Sequence, residues 1–234
     1  SDSAYRLYRE KMHLTESKVK LIMKIGLPAG FQGAIFSVSN VLIQSSINSF
    51  GSIAMAGSTA SANVEGFVYN AMNAVYQTAL SFTSQNYGAG KMNRVTKILL
   101  YCLGLVVMVG AVMGGGAVLI GPKLLQIYSS DPEVISYGMM RMRIINGSYF
   151  LCGIMDTMVG GLRGLGYSVV PMLVSLTGAC LFRVVWIFSV FAMHRTLTTL
   201  YISYPVSWII TFTAHIICYI VIRKRIAARR KPRD

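Results

Sequence analysis

Between Ile25 and Phe50 the chain carries no charged side chain. About 20 apolar residues suffice to cross the hydrocarbon core of a bilayer as a helix. In that environment the backbone must satisfy its own hydrogen bonds, which leaves a helix or a closed barrel as the choices. The pattern recurs. Ile53–Asn86 is interrupted only by Glu65, and Ile98–Gly121 is uncharged. Ile144–Leu162, extended outward by Val134–Arg143, contains Asp156; Val169–His194 contains Arg183; Leu200–Ile222 holds no Lys, Arg, Asp or Glu. No stretch alternates as a strand would. The expected fold is all-α and integral to the membrane, with six transmembrane helices at about 25–50, 53–86, 98–121, 134–162, 169–194 and 200–222.

Composition narrows the classes further. Charged residues make up 13% of the chain, against about 25% in soluble domains, which excludes a water-soluble globule, a disordered chain and a coiled coil. The formal charge is +14, but the bases form no single face of the kind nucleic acid requires. Six lie in the first 24 residues and seven in the last 12. An even number of spans puts both ends on one side. The glycine-rich turns Gly88–Lys91 and Arg163–Gly166 fall on that side too, with Lys91, Arg94, Lys97 and Arg163. By the positive-inside rule that side is the cytoplasm, here expected to be that of a bacterial inner membrane. Residues 1–24 are expected to form a cytoplasmic amphipathic linker, 25–222 a six-helix lobe, and 223–234 a basic cytoplasmic tail against anionic lipid. The lead-in is too charged for a signal peptide and has the character of a connector between two halves of a longer chain.

Motifs for catalysis are missing. The four cysteines and three histidines are scattered, in neither a zinc nor a redox spacing. Gly88–Lys91 lacks the spacing of a phosphate-binding loop. No enzymatic activity and no cofactor are expected. The acidic start Asp131-Pro132-Glu133 marks a helix N-terminus, and Pro205 a candidate kink.

The polar residues inside the spans are more informative. At 100° per residue, Ser37, Asn40, Gln44 and Asn48 share one face of the first span. In the second, Asn63, Asn70, Gln77 and Ser81 form one stripe, and Ser58, Ser61, Glu65, Tyr69 and Tyr76 another nearly opposite it. Two readings stand: hydrogen bonds between helices, or the lining of a hydrated cavity. Glu65, Asp156 and Arg183 are charged at membrane depth, where an ionised side chain costs at least about 2.5–3.5 kcal/mol. Each therefore needs a partner, water or a function. A carboxylate drawn one way by desolvation and the other by a cation can exchange a proton for that cation. Asp156 shares a face with Tyr149, Cys152 and Arg163, and reaches Arg163 or interfacial water. A buried clamp between Glu65 and Arg183 is the structural alternative to a role in coupling.

Several strings point the same way: Lys24-Ile25-Gly26-Leu27-Pro28-Ala29-Gly30-Phe31-Gln32, Glu65-Gly66-Phe67, Gln85-Asn86-Tyr87-Gly88-Ala89-Gly90-Lys91, Gly161-Leu162-Arg163-Gly164-Leu165-Gly166-Tyr167, and Arg183 with Trp186. In this order and spacing the chain resembles the second half of a MATE (multidrug and toxic compound extrusion) transporter, helices seven to twelve. The resemblance implies one lobe of a twelve-helix antiporter that expels organic cations against inward Na⁺ or H⁺ flow. Its partners would be the bilayer, small organic cations, and an N-terminal six-helix lobe or a second copy. It implies ion or proton coupling at Glu65 and Asp156. On this reading the polar stripes are expected to line a substrate cavity, through Ser37, Asn40, Gln44, Asn63, Tyr69, Asn70, Gln77 and Tyr149, with Arg163 and Arg183 as structural charges. One departure is plain: Ile25–Phe50 has no acidic residue, whereas NorM-like members carry one in the seventh helix. A lipid-linked saccharide flippase of the wider superfamily, and a six-helix subunit that dimerises, are the rival expectations.

Overall fold

A computed structural model describes residues 15–230, and every described regular element is helical. α1 spans Glu16–Asn48, α2 Ser52–Gly88, α3 Met92–Leu119 and α4 Gly121–Gln126. α5 (Pro132–Ile145) passes through a 3₁₀ turn, Asn146–Ser148, into α6 (Tyr149–Gly164). α7 (Val169–Ser175) and α8 (Phe182–Trp186) are joined by a π turn, Leu176–Leu181; a second π turn, Ile187–Phe191, follows; α9 runs Leu197–Arg230. Four rods among the described residues are long and apolar enough to cross a membrane: Glu16–Asn48, Met92–Leu119, Val169–Phe191 and Leu197–Ala228. α2 has the length but is rich in small and polar residues, and α5–α6 is broken in the middle.

Local chemistry accounts for the joints. Pro132 occupies the first turn of α5, and the Asp131 carboxylate caps it by accepting from the Glu133 N–H at 2.8 Å, the usual proline and cap positions. Gly90 (φ 76°) and Gly166 (φ 86°) take left-handed conformations at the two glycine-rich turns, which residues with a Cβ rarely adopt. In the broken rod, Ser148 Oγ donates to the Ile144 carbonyl at 2.6 Å. In the π-turned rod, Thr177 and Ser189 donate to the carbonyls four residues earlier at 2.9 and 2.6 Å. Such back-bonding competes with the regular ladder and helps bend a helix.

Several bounds differ from the sequence reading: α3 begins at Met92 rather than Ile98, the short α4 has no counterpart there, and both ends of the lobe run on. α1 begins at Glu16, so the part of the linker that is described is continuous with the first span, while residues 1–14 lie outside the description. α9 runs through the bases Arg223–Arg225 to Arg230. Lys and Arg are good helix formers and favour a helix C-terminus; after Pro205 no proline intervenes before Pro232.

α2, α3, α5 and α6 pack as one block, with α9 laid against α5 and α6. Small residues make the close approach. A Cβ on Gly160 of α6 would stand 2.8 Å from the Tyr76 carbonyl oxygen of α2, and one on Gly57 would collide with the Val134 carbonyl oxygen of α5. The main core includes Ile43, Ile47, Val68, Met72, Val106, Met142 and Tyr201, and a second cluster gathers around Val95, Leu99, Met158, Leu162 and Ile222. α1 is the outlier, with only Ser39, Ile43 and Ile47 buried.

Candidate functional site

α1, α2, α6, α8 and α9 surround a cavity of roughly 500 Å³. Helical spacing selects what faces it. Glu65, Tyr69, Asn73 and Tyr76 form one stripe of α2; Tyr149, Cys152, Asp156 and Arg163 form one stripe of α6; Tyr204 and Trp208 are a turn apart on α9, as side chains three or four residues apart share a face. Gln32 and Asn40 of α1 and Arg183 of α8 complete the polar lining.

Glu65 does not meet Arg183. It pairs with Arg141, whose Nε and Nη2 donate to Oε1 and Oε2 at 2.7 Å each. Arg141 Nη1 donates to Ser58 Oγ, and Ser61 Oγ donates to Glu65 Oε1, both at 3.1 Å. Both charged side chains are buried. This rules out the Glu65–Arg183 clamp that stands as the structural alternative in the sequence reading, and the reason is helix packing. Gly57 lets α5 lie directly on α2, which brings Arg141 opposite Ser58 and Glu65, whereas α8 packs against α9 and α1. In sequence Arg141 stands at a helix entrance; the signal that marks it as buried is its place on one face of α5 with Gly138, Met142 and Ile145.

Arg183 is held differently. Its Nε donates to Ser207 Oγ at 2.9 Å, and its guanidinium carbon lies 4.1 Å from the Tyr204 ring centre and 5.8 Å from that of Trp208, within cation–π range. Tyr149 stands 5.5 Å and Tyr204 5.8 Å from Trp208. Arg163 donates from Nη1 to the Tyr76 hydroxyl at 2.8 Å and from Nη2 to Gln32 Oε1 at 2.9 Å. Asp156 is partly buried, lines the cavity, and has no ion pair among the described residues.

Of the residues singled out from sequence, Asn40, Glu65, Tyr69, Tyr76, Tyr149, Cys152, Asp156, Arg163 and Arg183 come together at this cavity. The others do not. Asn63, Asn70 and Gln77 are exposed on the opposite face of α2, so the second polar stripe faces the cavity and the first does not. Ser37 Oγ donates to the Gly33 carbonyl and Gln44 to Asn48 Oδ1, each at 3.1 Å within α1. Gln32, noted in the sequence only as the end of a motif, joins the lining, as do Asn73, Tyr204 and Trp208, which do not stand out there; the last two offer a signal in an aromatic pair four residues apart.

Long apolar helices around a polar, aromatic cavity define a membrane transporter lobe in its general class. The MatE family model matches residues 28–189, and the chain belongs to that family. A probable multidrug resistance protein NorM of Thermotoga maritima is 24% identical over 159 residues, 68% of this chain and 34% of the relative. The Vibrio cholerae MATE transporter VcmN, in its bent form, superposes with a TM-score of 0.82 at 19% identity, covering 94% of this chain and 50% of VcmN. A MOP superfamily transporter from Pyrococcus furiosus, described as having a binding pocket of reverse polarity that suggests a different function, gives a TM-score of 0.83 at 16% identity over 99% of this chain and 52% of its own. The chain thus spans about a third of the curated relative and about half of these solved transporters.

Proposed function

We propose that this chain is the C-terminal lobe of a cation-coupled antiporter that exports small organic cations across the bacterial inner membrane, with both termini in the cytoplasm. The observation that carries this reading is Asp156, a carboxylate at the cavity with no ion pair among the described residues. An intramembrane ionisable group of this kind marks an ion or substrate pathway. Na⁺ or H⁺ occupies Asp156 in one half of the cycle and leaves it free for cationic substrate in the other. Glu65, tied at both oxygens to Arg141, neutralises that guanidinium and braces α2 against α5. An N-terminal six-helix lobe, or a second copy, completes the pathway, and the two halves rock in the manner of parallel-repeat transporters.

The test uses the complete protein in proteoliposomes with an imposed Na⁺ or proton gradient. Asp156→Asn is expected to reduce gradient-driven efflux of a fluorescent organic cation to background while the protein stays folded. Undiminished efflux would remove Asp156 from coupling. The flippase reading draws on Arg163 and Arg183, two guanidiniums that no carboxylate neutralises among the described residues; gradient-independent movement of a lipid-linked saccharide in the same vesicles would support it.

A further inference from the structure

We propose that Arg183 is a substrate subsite that receives the carboxylate of a zwitterionic amphiphile whose flat apolar part lies along Tyr204 and Trp208. The proposal deepens the transport reading above and rests on it. Arg183 is 4% exposed, as deeply buried as Arg141 at 7%, yet the two guanidiniums are used in opposite ways. Arg141 engages all three nitrogens and meets both oxygens of Glu65. Arg183 engages only Nε, on a neutral serine hydroxyl. Its Nη1 and Nη2 have no hydrogen bond among the described residues, and neither is sealed from the cavity that Arg183 lines.

The geometry of what remains free is specific. With Nε taken, the open end of the guanidinium presents two parallel N–H donors, the fork that accepts a carboxylate in bidentate fashion. Tyr204 holds the guanidinium in place from 4.1 Å. Trp208, flanked by Tyr149 and Tyr204, extends an aromatic wall from the same point. Such a wall with one convergent charged group is how ligand pockets combine apolar burial with orientation.

Charge supplies the other half of the argument. Arg141 cancels Glu65, which leaves Asp156 facing Arg163 and Arg183 around one cavity. When a proton or cation occupies Asp156, the two guanidiniums are unopposed and favour an anionic group. When that ion leaves, Asp156 can hold the positive centre of the same molecule. A substrate with both charges satisfies the lining in a way that a simple cation does not.

A matched pair of dyes tests this in the complete protein reconstituted in nanodiscs: rhodamine B, a zwitterion with a free carboxylate, and its ethyl ester, which keeps the cation and loses the acid. Wild type is expected to bind the acid about tenfold or more tightly than the ester. Arg183→Gln should remove that preference by weakening the acid alone, and Arg183→Lys, a point charge without the fork, should retain part of it. Equal binding of acid and ester by wild type would overturn the proposal, as would an Arg183→Gln variant that weakens both dyes equally. Should Arg183→Gln not fold, the same comparison between wild type and Arg183→Lys decides, equal preference in the two counting against the fork. Asp156→Asn separates this from the transport reading: loss of gradient-driven efflux with the acid preference intact supports both, whereas intact efflux sinks the coupling role without touching Arg183.

Discussion

The cavity has two unlike walls. On one side α2, α3, α5 and α6 meet through glycines so close that an added methyl group would strike a neighbouring helix: Gly110 of α3 would place a Cβ 2.7 Å from the Phe150 Cα, and Gly160 one 2.8 Å from the Tyr76 carbonyl. On the other side, a Cβ added to Gly26, Gly30 or Gly33 of α1 would meet nothing within 4 Å, and the α7–α8 rod carries two π turns. The tight wall holds the two carboxylates, Glu65 and Asp156. Gln32 and Asn40 stand on the loosely packed α1, whereas Arg183 belongs to a rod that meets α9 closely, a Cβ on Gly178 falling 2.5 Å from Thr211 Oγ1. The lobe thus fixes its acidic groups on a close-packed frame and presents Gln32 and Asn40 from a helix with few packing constraints. Arg163 spans the divide, rooted in α6 and bonded to Gln32 of α1.

The strongest way to break this contrast is to attack the frame at its buried ion pair. Arg141→Gln leaves Glu65 buried without its cation, a loss of about 3–5 kcal/mol. It should show as a large fall in the thermal midpoint of the detergent-solubilised complete protein. Replacing Glu65 by Gln in the same chain should recover much of the loss, since two neutral side chains carry no unpaired charge. A harmless single variant would mean that the pair is not what braces α2 against α5. A smaller effect is expected at the glycine contacts. Gly160→Ala forces overpacking against Tyr76 and should cost about 1–3 kcal/mol, read as a lower midpoint and faster hydrogen exchange in α2 and α6. At the other extreme, Gly26→Ala on α1 meets no clash and should stabilise by about 0.5–1 kcal/mol, alanine being the better helix former. A loss there comparable with that of Gly160→Ala would erase the distinction between the walls.

Much of the architecture is legible in the sequence. Uncharged runs locate the long helices, and Gly90 and Gly166 mark turns because left-handed backbone favours glycine. Helical geometry also separates the two polar stripes of α2. Which of them faces inward is not legible, because rotation of a helix about its axis depends on its neighbours. Asn63, Asn70 and Gln77 have as strong a claim as Glu65, Tyr69 and Tyr76 until α6 presses on one side. The partner of Glu65 is hidden for the same reason. A buried carboxylate demands a cation, but periodicity cannot choose between Arg141 and Arg183; the missing Cβ of Gly57, which admits α5, makes that choice. Trp208 and Tyr204 lie in a span that stands out chiefly for its hydropathy, where aromatic residues usually signify packing.

The two π turns around Arg183 have a geometric consequence of their own. A π turn is an α-helix with one residue too many in it, so relaxing it to α geometry swings everything beyond by roughly 100° about the axis. Leu176–Leu181 precedes Arg183 directly in the chain. Straightening that single turn would rotate the guanidinium away from Tyr204 and advance the rod beyond it by one residue's rise, about 1.5 Å.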